Sequence, residues 1–173
     1  GAISVGPNRI SVDMGEPIFE WERIPMSERM DTVRIELQVG PIDDPVLPGP
    51  GVVSMGNPHC VFSVQDAELA PVEAVGPMIE YHPLFPERTN VGFAEIVARD
   101  HIRLRVWERG AGLTKACGTG ACAALVAAVR RRLCDRTANV QVDGGMLQIE
   151  WRESDNHVIM TGAVALESEG NLR

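Results

Sequence analysis

The chain has 173 residues, of which 45% are hydrophobic and 23% charged, and its formal net charge is −8 at pH 7. This composition provides enough apolar residues for one ordinary globular domain, or two small ones, and it excludes intrinsic disorder. The negative charge disfavours a nucleic-acid partner, which needs a basic face. The uncharged stretch at residues 116–129 is too short to span a membrane.

The numbers of cysteines and lysines in the sequence indicate the cellular compartment and restrict the choice of cofactor. The four cysteines form neither a C-x-x-C pair nor a zinc-like grouping with histidine, so we expect free thiols in a reducing, cytoplasmic compartment and no metal. Lys115 is the single lysine, which disfavours pyridoxal phosphate because that cofactor is held on a lysine as a Schiff base. The 17 glycines and 12 prolines favour many short elements over a helical bundle.

The first part of the chain predicts short strands. Residues 2–5 and 9–13 form two of them around a turn. Apolar and polar residues alternate strictly over 32–39, which predicts a half-buried strand. Two further β-like runs, 51–55 and 60–64, are interrupted by Gly-Asn-Pro-His at 56–59, which predicts a loop carried on a β scaffold.

The second part continues with strands and adds helices. Residues 67–82 predict short helical pieces, with Pro71 and Pro77 in first-turn positions. Asp143-Gly144-Gly145 is a hairpin signal between two alternating runs. Five strands are predicted in this part, at residues 90–98, 101–107, 139–142, 146–151 and 157–166.

One helix, over about residues 119–133, differs from the rest. From Ala121 to Val129 it has no polar side chain on any face, which predicts a buried helix. Arginines at its end, 130–132, lie where the helix dipole favours cations. We therefore expect an α+β fold in which mostly antiparallel strands wrap, as a barrel-like sheet, around one buried central helix.

The residues that lead into this helix, Cys-Gly-Thr-Gly at 117–120, predict an anion site. Glycines let the backbone approach a ligand, and the first helical turn offers N–H groups without internal partners. A thiol at this position has a lowered pKa, and beside a bound carboxylate it could move a proton at the adjacent carbon. The alternative is a buried cysteine in a glycine turn. Cys122 and Cys134 are expected to be structural.

Two other clusters carry candidate binding groups. In the loop at 56–60, Asn57 and His59 could hydrogen-bond a ligand, although a turn asparagine is often structural. Arg109, next to a glycine-rich turn, suits a bidentate grip on a carboxylate, against the alternative of a solvated surface arginine. Glu108 could hold an ammonium group or assist proton transfer. We assign no role to the remaining histidines, at positions 82, 101 and 157.

Taken together, these segments resemble the diaminopimelate epimerase family. Four strings carry the resemblance: Gly-Asn-Pro-His-Cys at 56–60, Glu-Arg-Thr-Asn-Val at 87–91, Arg-Val-Trp-Glu-Arg-Gly-Ala-Gly at 105–112 and Ala-Cys-Gly-Thr-Gly-Ala-Cys at 116–122. Weaker agreement at 12–17 and 144–151 extends it over nearly the whole chain. The related proline racemases share a Cys-Gly-Thr-Gly segment, but the Glu-Arg-Gly-Ala-Gly string before it is not expected in them.

The resemblance implies a cofactor-independent enzyme that inverts the α-carbon of diaminopimelate, in lysine and peptidoglycan-precursor biosynthesis, between two cysteines on opposite faces. It implies Cys117 as one of the pair. It also implies roles for seven further residues. The backbone N–H groups of Gly118 and Thr119 would bind the reacting carboxylate. Asn57, Asn90 and Arg109 would hold the distal end of the substrate, and His59 and Glu108 would lie near the reacting centre.

The sequence departs from the family in one respect. Family members have two pseudo-symmetric domains, and the Cys-Gly-Asn-Gly segment that should supply the other cysteine does not occur in these residues. We therefore expect 14–162 to be the C-terminal domain, with 1–13 and 163–173 as strands of a missing N-terminal domain. The chain also opens without Met or a signal peptide, which suggests a processed or truncated product.

Three consequences and two alternatives follow from this reading. The fragment alone is expected to be inactive and to bind diaminopimelate weakly. It is also expected to self-associate or form a homodimer through exposed strand edges, or to pair its two terminal segments with each other. The first alternative is another racemase of the superfamily, acting on a proline-like ring. The second is a non-catalytic small-molecule-binding domain in which Cys117 is structural.

Overall fold

The structure, a computed structural model, describes residues 2–6, 9–40, 47, 49–115 and 118–163. In this part of the chain, the helices are α1 (Val72–Glu80), α2 (Gly118–Arg130) and a short 3-10 helix (Ala67–Leu69). The strands are β1 (Ala2–Gly6), β2 (Arg9–Asp13), β3 (Gly51–Ser54), β4 (Pro58–Val64), β5 (Asn90–Ala98), β6 (His101–Glu108), β7 (Gly112–Thr114), β8 (Thr137–Val142), β9 (Gly145–Trp151) and β10 (Val158–Ala163).

The strands form one curled sheet in the order β1-β2-β10-β9-β8-β6-β5-β4-β3, with β7 paired to β6. Most neighbours are antiparallel, but β4 pairs with β5, and β6 with β8, in parallel. Helix α2 contacts strands along most of this sheet, from β3 to β10. The predicted α+β fold, a barrel-like sheet around a buried central helix, is therefore confirmed.

The central helix is buried because it is apolar on every side. From Ala121 to Ala128 no residue of α2 exposes more than 7% of its surface. Its many alanines are small, so strands can approach from several directions, and Leu125 fills the space between them at 0% exposure. The helix ends at Arg130, earlier than the predicted 133, because Arg132 adopts a left-handed conformation with φ 60°.

Helix α1 covers the opposite face of the sheet. The Phe62 and Phe93 rings of β4 and β5 stack with centroids 5.8 Å apart, and they belong to one buried cluster with Val75 and Ile79 of α1. Val61 and Ala94, on the same strands, point to the α2 side. Because β4 and β5 are covered on both faces, their sequences read as continuous apolar runs rather than as alternating ones.

The predicted strand over 32–39 is wrong. These residues form turns and bends, with one isolated bridge from Val39 to Leu47. Ile35 is 2% exposed, so the alternation reports burial, but its N–H donates to Pro50 O instead of to a neighbouring strand. The N–H of Val52 donates to Thr32 O on the other side of this contact. The segment is thus an extended loop packed beside β3.

Two further local predictions need correction. The loop expected at 56–60 is a short turn, because Pro58 to Cys60 already belong to β4 and pair with β3. Pro77 lies inside the single helix α1 rather than at the start of a second one. Pro71 is the N-cap residue of that helix, as a first-turn proline would suggest.

The remaining strand predictions are confirmed within a few residues. The hairpin between β8 and β9 turns at Asp143 and Gly144, with Val142 paired to Gly145. Strand β2 pairs with both β1 and β10, so residues 9–13 join the same sheet as the end of the described chain. Residues 7–8 of the first turn, and 164–173, lie outside the described residues. The division into 14–162 and two terminal segments stays a prediction. No helix in the described residues is long and apolar enough to cross a membrane.

Candidate functional site

The predicted thiol lies outside the described residues, together with Ala116 before it. The described chain resumes at Gly118, which is buried and is the first residue of α2. Thr119 follows at half-buried exposure. Cys117 therefore immediately precedes, in the chain, a helix N-terminus, where N–H groups lack intrahelical partners and the helix dipole favours an anion.

Three predicted residues meet at this helix start. His59 Nε2 lies 3.0 Å from Asn57 Oδ1 and 3.2 Å from Thr119 Oγ1. The amide Nδ2 of Asn57 donates to the same threonine hydroxyl at 3.3 Å. An amide oxygen only accepts, so His59 Nε2 carries the proton in this arrangement. The turn before β4 and the first turn of α2 are thus joined by side chains.

His59 is neutral in this environment. Its side chain is 2% exposed, and this burial lowers the pKa of His59 to about 3, with the nearby charge of Arg109 as a second cause. At neutral pH the imidazole is therefore a hydrogen-bonding group rather than a cation. Its position is fixed by β4, where it pairs with Asn90 of the parallel strand β5.

Asn90 connects two segments of the site through their backbones. It is 2% exposed; its Nδ2 donates to Pro58 O at 3.0 Å, and its Oδ1 accepts from the N–H of Arg109 at 2.8 Å. The residue thereby holds the start of β4 next to the turn that follows β6. Its predicted contact with substrate stays a prediction.

Arg109 and Glu108 lie at the end of β6 and in the turn after it, both half-buried. The guanidinium of Arg109 donates to Glu87 O at 3.1 Å. The turn closes with a hydrogen bond from Ala111 N to Glu108 O. The structure thus brings Asn57, His59 and Thr119 into direct contact. Arg109 is connected to His59 indirectly, because Asn90 accepts from its N–H and pairs with His59 across β4 and β5. The charge of Arg109 also lowers the pKa of His59.

Two groups were missed from the sequence. Glu80, at the end of α1, is 3% exposed and accepts from Trp107 Nε1 and Gly110 N, both at 2.9 Å. His157, to which no role was assigned, has both carboxylate oxygens of Asp13 within 2.9 Å of its Nδ1. Neither pairing has a local sequence signal, because the partners lie 27 or more positions apart.

The described residues just before Ala116, together with the β8–β9 turn, line an open cleft of about 540 Å³. Thr114, Lys115 and Asp143 contribute to its walls. Within the described part of the chain, Thr114 Oγ1 is a buried oxygen without a hydrogen-bond partner. No three of the described histidine, cysteine, aspartate and glutamate side chains are grouped closely enough to hold a metal ion.

Solved structures share this architecture. A hydroxyproline epimerase from Agrobacterium vitis matches 90% of this chain and 50% of its own, with a TM-score of 0.60 and 15% identity. A probable proline racemase from Agrobacterium radiobacter K84 matches 90% of this chain and 51% of its own, with a TM-score of 0.57 and 17% identity. At these identities the similarity concerns the fold alone. The chain thus has the curled, helix-centred sheet found in racemase and epimerase structures.

Sequence comparison identifies the family within that fold. The family model described as diaminopimelate epimerase matches residues 51–167. The diaminopimelate epimerase of Caulobacter sp. (strain K31) is 63% identical over 169 residues, which are 96% of this chain and 58% of that protein. That of Afipia carboxidovorans is 58% identical over 165 residues, 95% of this chain and 57% of that protein. The chain belongs to the diaminopimelate epimerase family, and it spans somewhat more than half the length of these relatives.

Proposed function

We propose that the protein acts as a cofactor-independent diaminopimelate epimerase, interconverting the LL and meso forms of its substrate. Membership of the family supports the reaction. The structural observation that supports the location of the site is the contact of His59 and Asn57 with Thr119. Thr119 lies at the start of the helix that follows Cys117. It brings two of the predicted substrate-binding segments together.

The helix start would bind the reacting carboxylate. The N–H groups of Gly118 and Thr119 belong to the first turn of α2 and are oriented along its axis, so they can donate to an anion at the N-terminus. The Thr119 hydroxyl is held by the Asn57 amide and the His59 ring. Because His59 is neutral, it orients these groups without adding a positive charge.

In the proposed reaction, the thiolate of Cys117 removes the α-proton. The S–H bond forms as the Cα–H bond breaks, and the electron pair is delocalised into the bound carboxylate. A second thiol, on the opposite face, then gives its proton to the carbon. The described cysteines Cys60, Cys122 and Cys134 are buried in the cores. We therefore propose that the second thiol belongs to a domain outside these residues, with 14–162 as one domain and 1–13 and 163–173 as strands of the other.

The distal end of the substrate would be bound by the turn after β6. Glu108, at the end of β6, would instead lie near the reacting centre, where it can accept from an ammonium group or assist proton transfer. Arg109 can present two N–H groups to the distal carboxylate. Asn57 and Asn90 would complete this part of the site. Arg109 is positioned for such a role by three anchors: its own N–H on Asn90, its guanidinium on Glu87 O, and the carboxylate of Glu80 on the next residue.

Proton exchange tests the proposal. The full gene product that contains these 173 residues is incubated with LL-diaminopimelate in deuterated water, and the α-proton signal is followed by NMR. We expect loss of that signal and appearance of the meso form, both abolished in Cys117→Ala. Cys134→Ala, which removes a buried thiol, serves as the matched control. Exchange of proline or hydroxyproline instead would favour the proline-racemase alternative, and binding without any exchange the non-catalytic one.

A further inference from the structure

The buried carboxylate of Glu80 lies behind the turn that carries Glu108 and Arg109. Glu80 is the last residue of α1 and is 3% exposed. One of its oxygens accepts from the indole N–H of Trp107 and the other from the backbone N–H of Gly110, each at 2.9 Å. Both oxygens are therefore used by residues that flank Glu108 and Arg109 on either side.

The negative charge of Glu80 is balanced from the solvent side. Arg88 NH1 lies 3.7 Å from Oε2 of Glu80, and the Arg88 side chain is 47% exposed. The same guanidinium lies over the Tyr81 ring, 5.3 Å from its centroid, and donates to the Tyr81 hydroxyl. A buried carboxylate is costly unless it is paired and hydrogen-bonded, so this complete set of partners indicates a defined position rather than a chance one.

The turn itself is pinned at successive backbone positions. Asn90 Oδ1 accepts from the N–H of Arg109, and Glu80 accepts from the next N–H, that of Gly110. Gly110 has φ +78°, a conformation that favours glycine, so the chain can present its N–H to the carboxylate without strain. Helix α1 also contacts Trp107 at Gly76, where even a methyl group would clash with the indole. The carboxylate is therefore held rigidly against the turn.

We infer that Glu80 is a positioning residue that fixes the turn after β6, and through this turn fixes Arg109 for the distal end of the substrate. This role rests on the proposed function. Glu80 does not touch substrate in this arrangement, since both of its oxygens are directed at Trp107 and Gly110. It acts through the backbone of the turn, and its removal should loosen the turn without altering the thiols that remove and return the α-proton. Small displacements of a positioning group can cost large factors in turnover or affinity.

The test compares Glu80→Gln with Glu73→Gln in the full gene product that contains this chain. Glu73 lies on the same helix and is exposed, so its variant removes the same charge without touching the turn. Glutamine at position 80 keeps the shape of the side chain but replaces one acceptor oxygen by an NH₂ group. That NH₂ group would face the N–H of Trp107 or Gly110 and could not accept from it. We expect Glu80→Gln to raise KM for diaminopimelate about tenfold with a smaller change in kcat, and Glu73→Gln to match the wild type.

A double-mutant cycle separates positioning from general damage. If Glu80 acts through Arg109, then Glu80→Gln should add little to the loss already caused by Arg109→Ala, because the group it positions is gone. Trp107→Phe keeps the Gly110 contact and should raise KM less than Glu80→Gln. Additive losses in the cycle, or equal KM values for Glu80→Gln and Glu73→Gln, would overturn the inference alone. Absence of wild-type turnover would overturn the proposed function, and this role with it.

Discussion

The Nε2 atom of His59 lies 3.2 Å from Thr119 Oγ1, although the two residues are 60 positions apart in the sequence. This contact joins the first residues of β4 to the first turn of the buried helix. It requires a neutral imidazole inside the fold, because the side chain is almost completely buried. The relationship therefore links the geometry of the candidate site to the pH dependence of the protein.

His59 should make the protein less stable in mild acid. Burial lowers its pKa from 6.5 to about 3. The native state thus binds fewer protons than the unfolded state, and stability is lost as the pH falls below about 6.5. Between pH 7 and pH 5 this group should cost about 2 kcal/mol of unfolding free energy. Urea unfolding of the wild type and His59→Gln at both pH values measures the difference.

The same His59 variant provides its own control. Between pH 7 and pH 8 the imidazole is neutral in the folded state and mostly neutral in the unfolded state, so the two proteins should show nearly the same change in unfolding free energy. Below pH 6.5 the wild-type curve should fall more steeply than that of His59→Gln. Parallel curves down to pH 5 would mean that His59 is charged or accessible in the native protein.

Cys117 should be the most reactive of the four thiols. Burial raises the pKa of Cys60, and it raises the pKa of Cys134 to about 11 with the Asp135 charge as a second cause. Cys122 is 0% exposed within α2. A thiol at a helix N-terminus is instead activated. Brief labelling with iodoacetamide at pH 7, followed by peptide mapping, should modify Cys117 first. Equal modification of Cys122 would contradict this ordering.

Replacing Gly76 with alanine should destabilise the fold. A Cβ atom at this position would lie 2.4 Å from Trp107 Cγ and 2.7 Å from Trp107 Cβ. In a helix interior, alanine is more favourable than glycine by about 1 kcal/mol. Overpacking against a ring that contacts the helix, however, typically costs about 1–3 kcal/mol. We therefore expect urea unfolding to give a lower free energy of unfolding for Gly76→Ala than for the wild type. Glu73→Ala, on the exposed side of α1, should stay within about 0.5 kcal/mol of wild type; a stabilised Gly76→Ala would refute the contact.

The His157–Asp13 pair should stabilise the junction of β2 and β10 mainly in mild acid. Hydrogen bonding to Asp13 raises the pKa of His157 above 6.5, so its contribution is present below that pH and is lost as the pH rises through the folded value. The Gly15 N–H, and then His157, lower the pKa of Asp13 below 3.8, so its contribution is lost in stronger acid.

Thermal melting measures this window. His157→Gln should melt below the wild type at pH 6, and the gap should narrow at pH 9. Both proteins retain His59, so its contribution cancels in the comparison. A gap of the same size at both pH values would show that His157 contributes by packing rather than by its charge.

The 173 residues expressed alone should show no measurable epimerase activity on diaminopimelate. A two-base inversion needs a group on each face of the carbon, and the three described cysteines, Cys60, Cys122 and Cys134, are buried. The deuterium assay applied to this fragment, beside the full gene product, measures the difference. Turnover of the fragment near the rate of the full product would contradict the proposed second thiol from another domain.

Much of the architecture could be predicted from the sequence because it depends on local patterns. The apolar run within α2 can only be buried, and the alternation in β6 can only place one face inward. The string around Cys117 likewise identified a helix start, since two glycines before an apolar run are readable without tertiary context. The alternation over 32–39 led to a wrong strand prediction. Ile35 is buried there, but the segment is a loop that makes isolated backbone hydrogen bonds instead of a strand ladder.

Only the tertiary structure decided which polar side chains meet. The partnership of Glu80 with Trp107 and Gly110 depends on how α1 crosses the sheet, and that of His157 with Asp13 on the register of β2 against β10. The neutral state of His59 likewise follows from burial between elements distant in the chain. Local sequence fixes which residues can form a strand or a helix, whereas hydrogen bonds between distant side chains exist only after the chain has closed around its core.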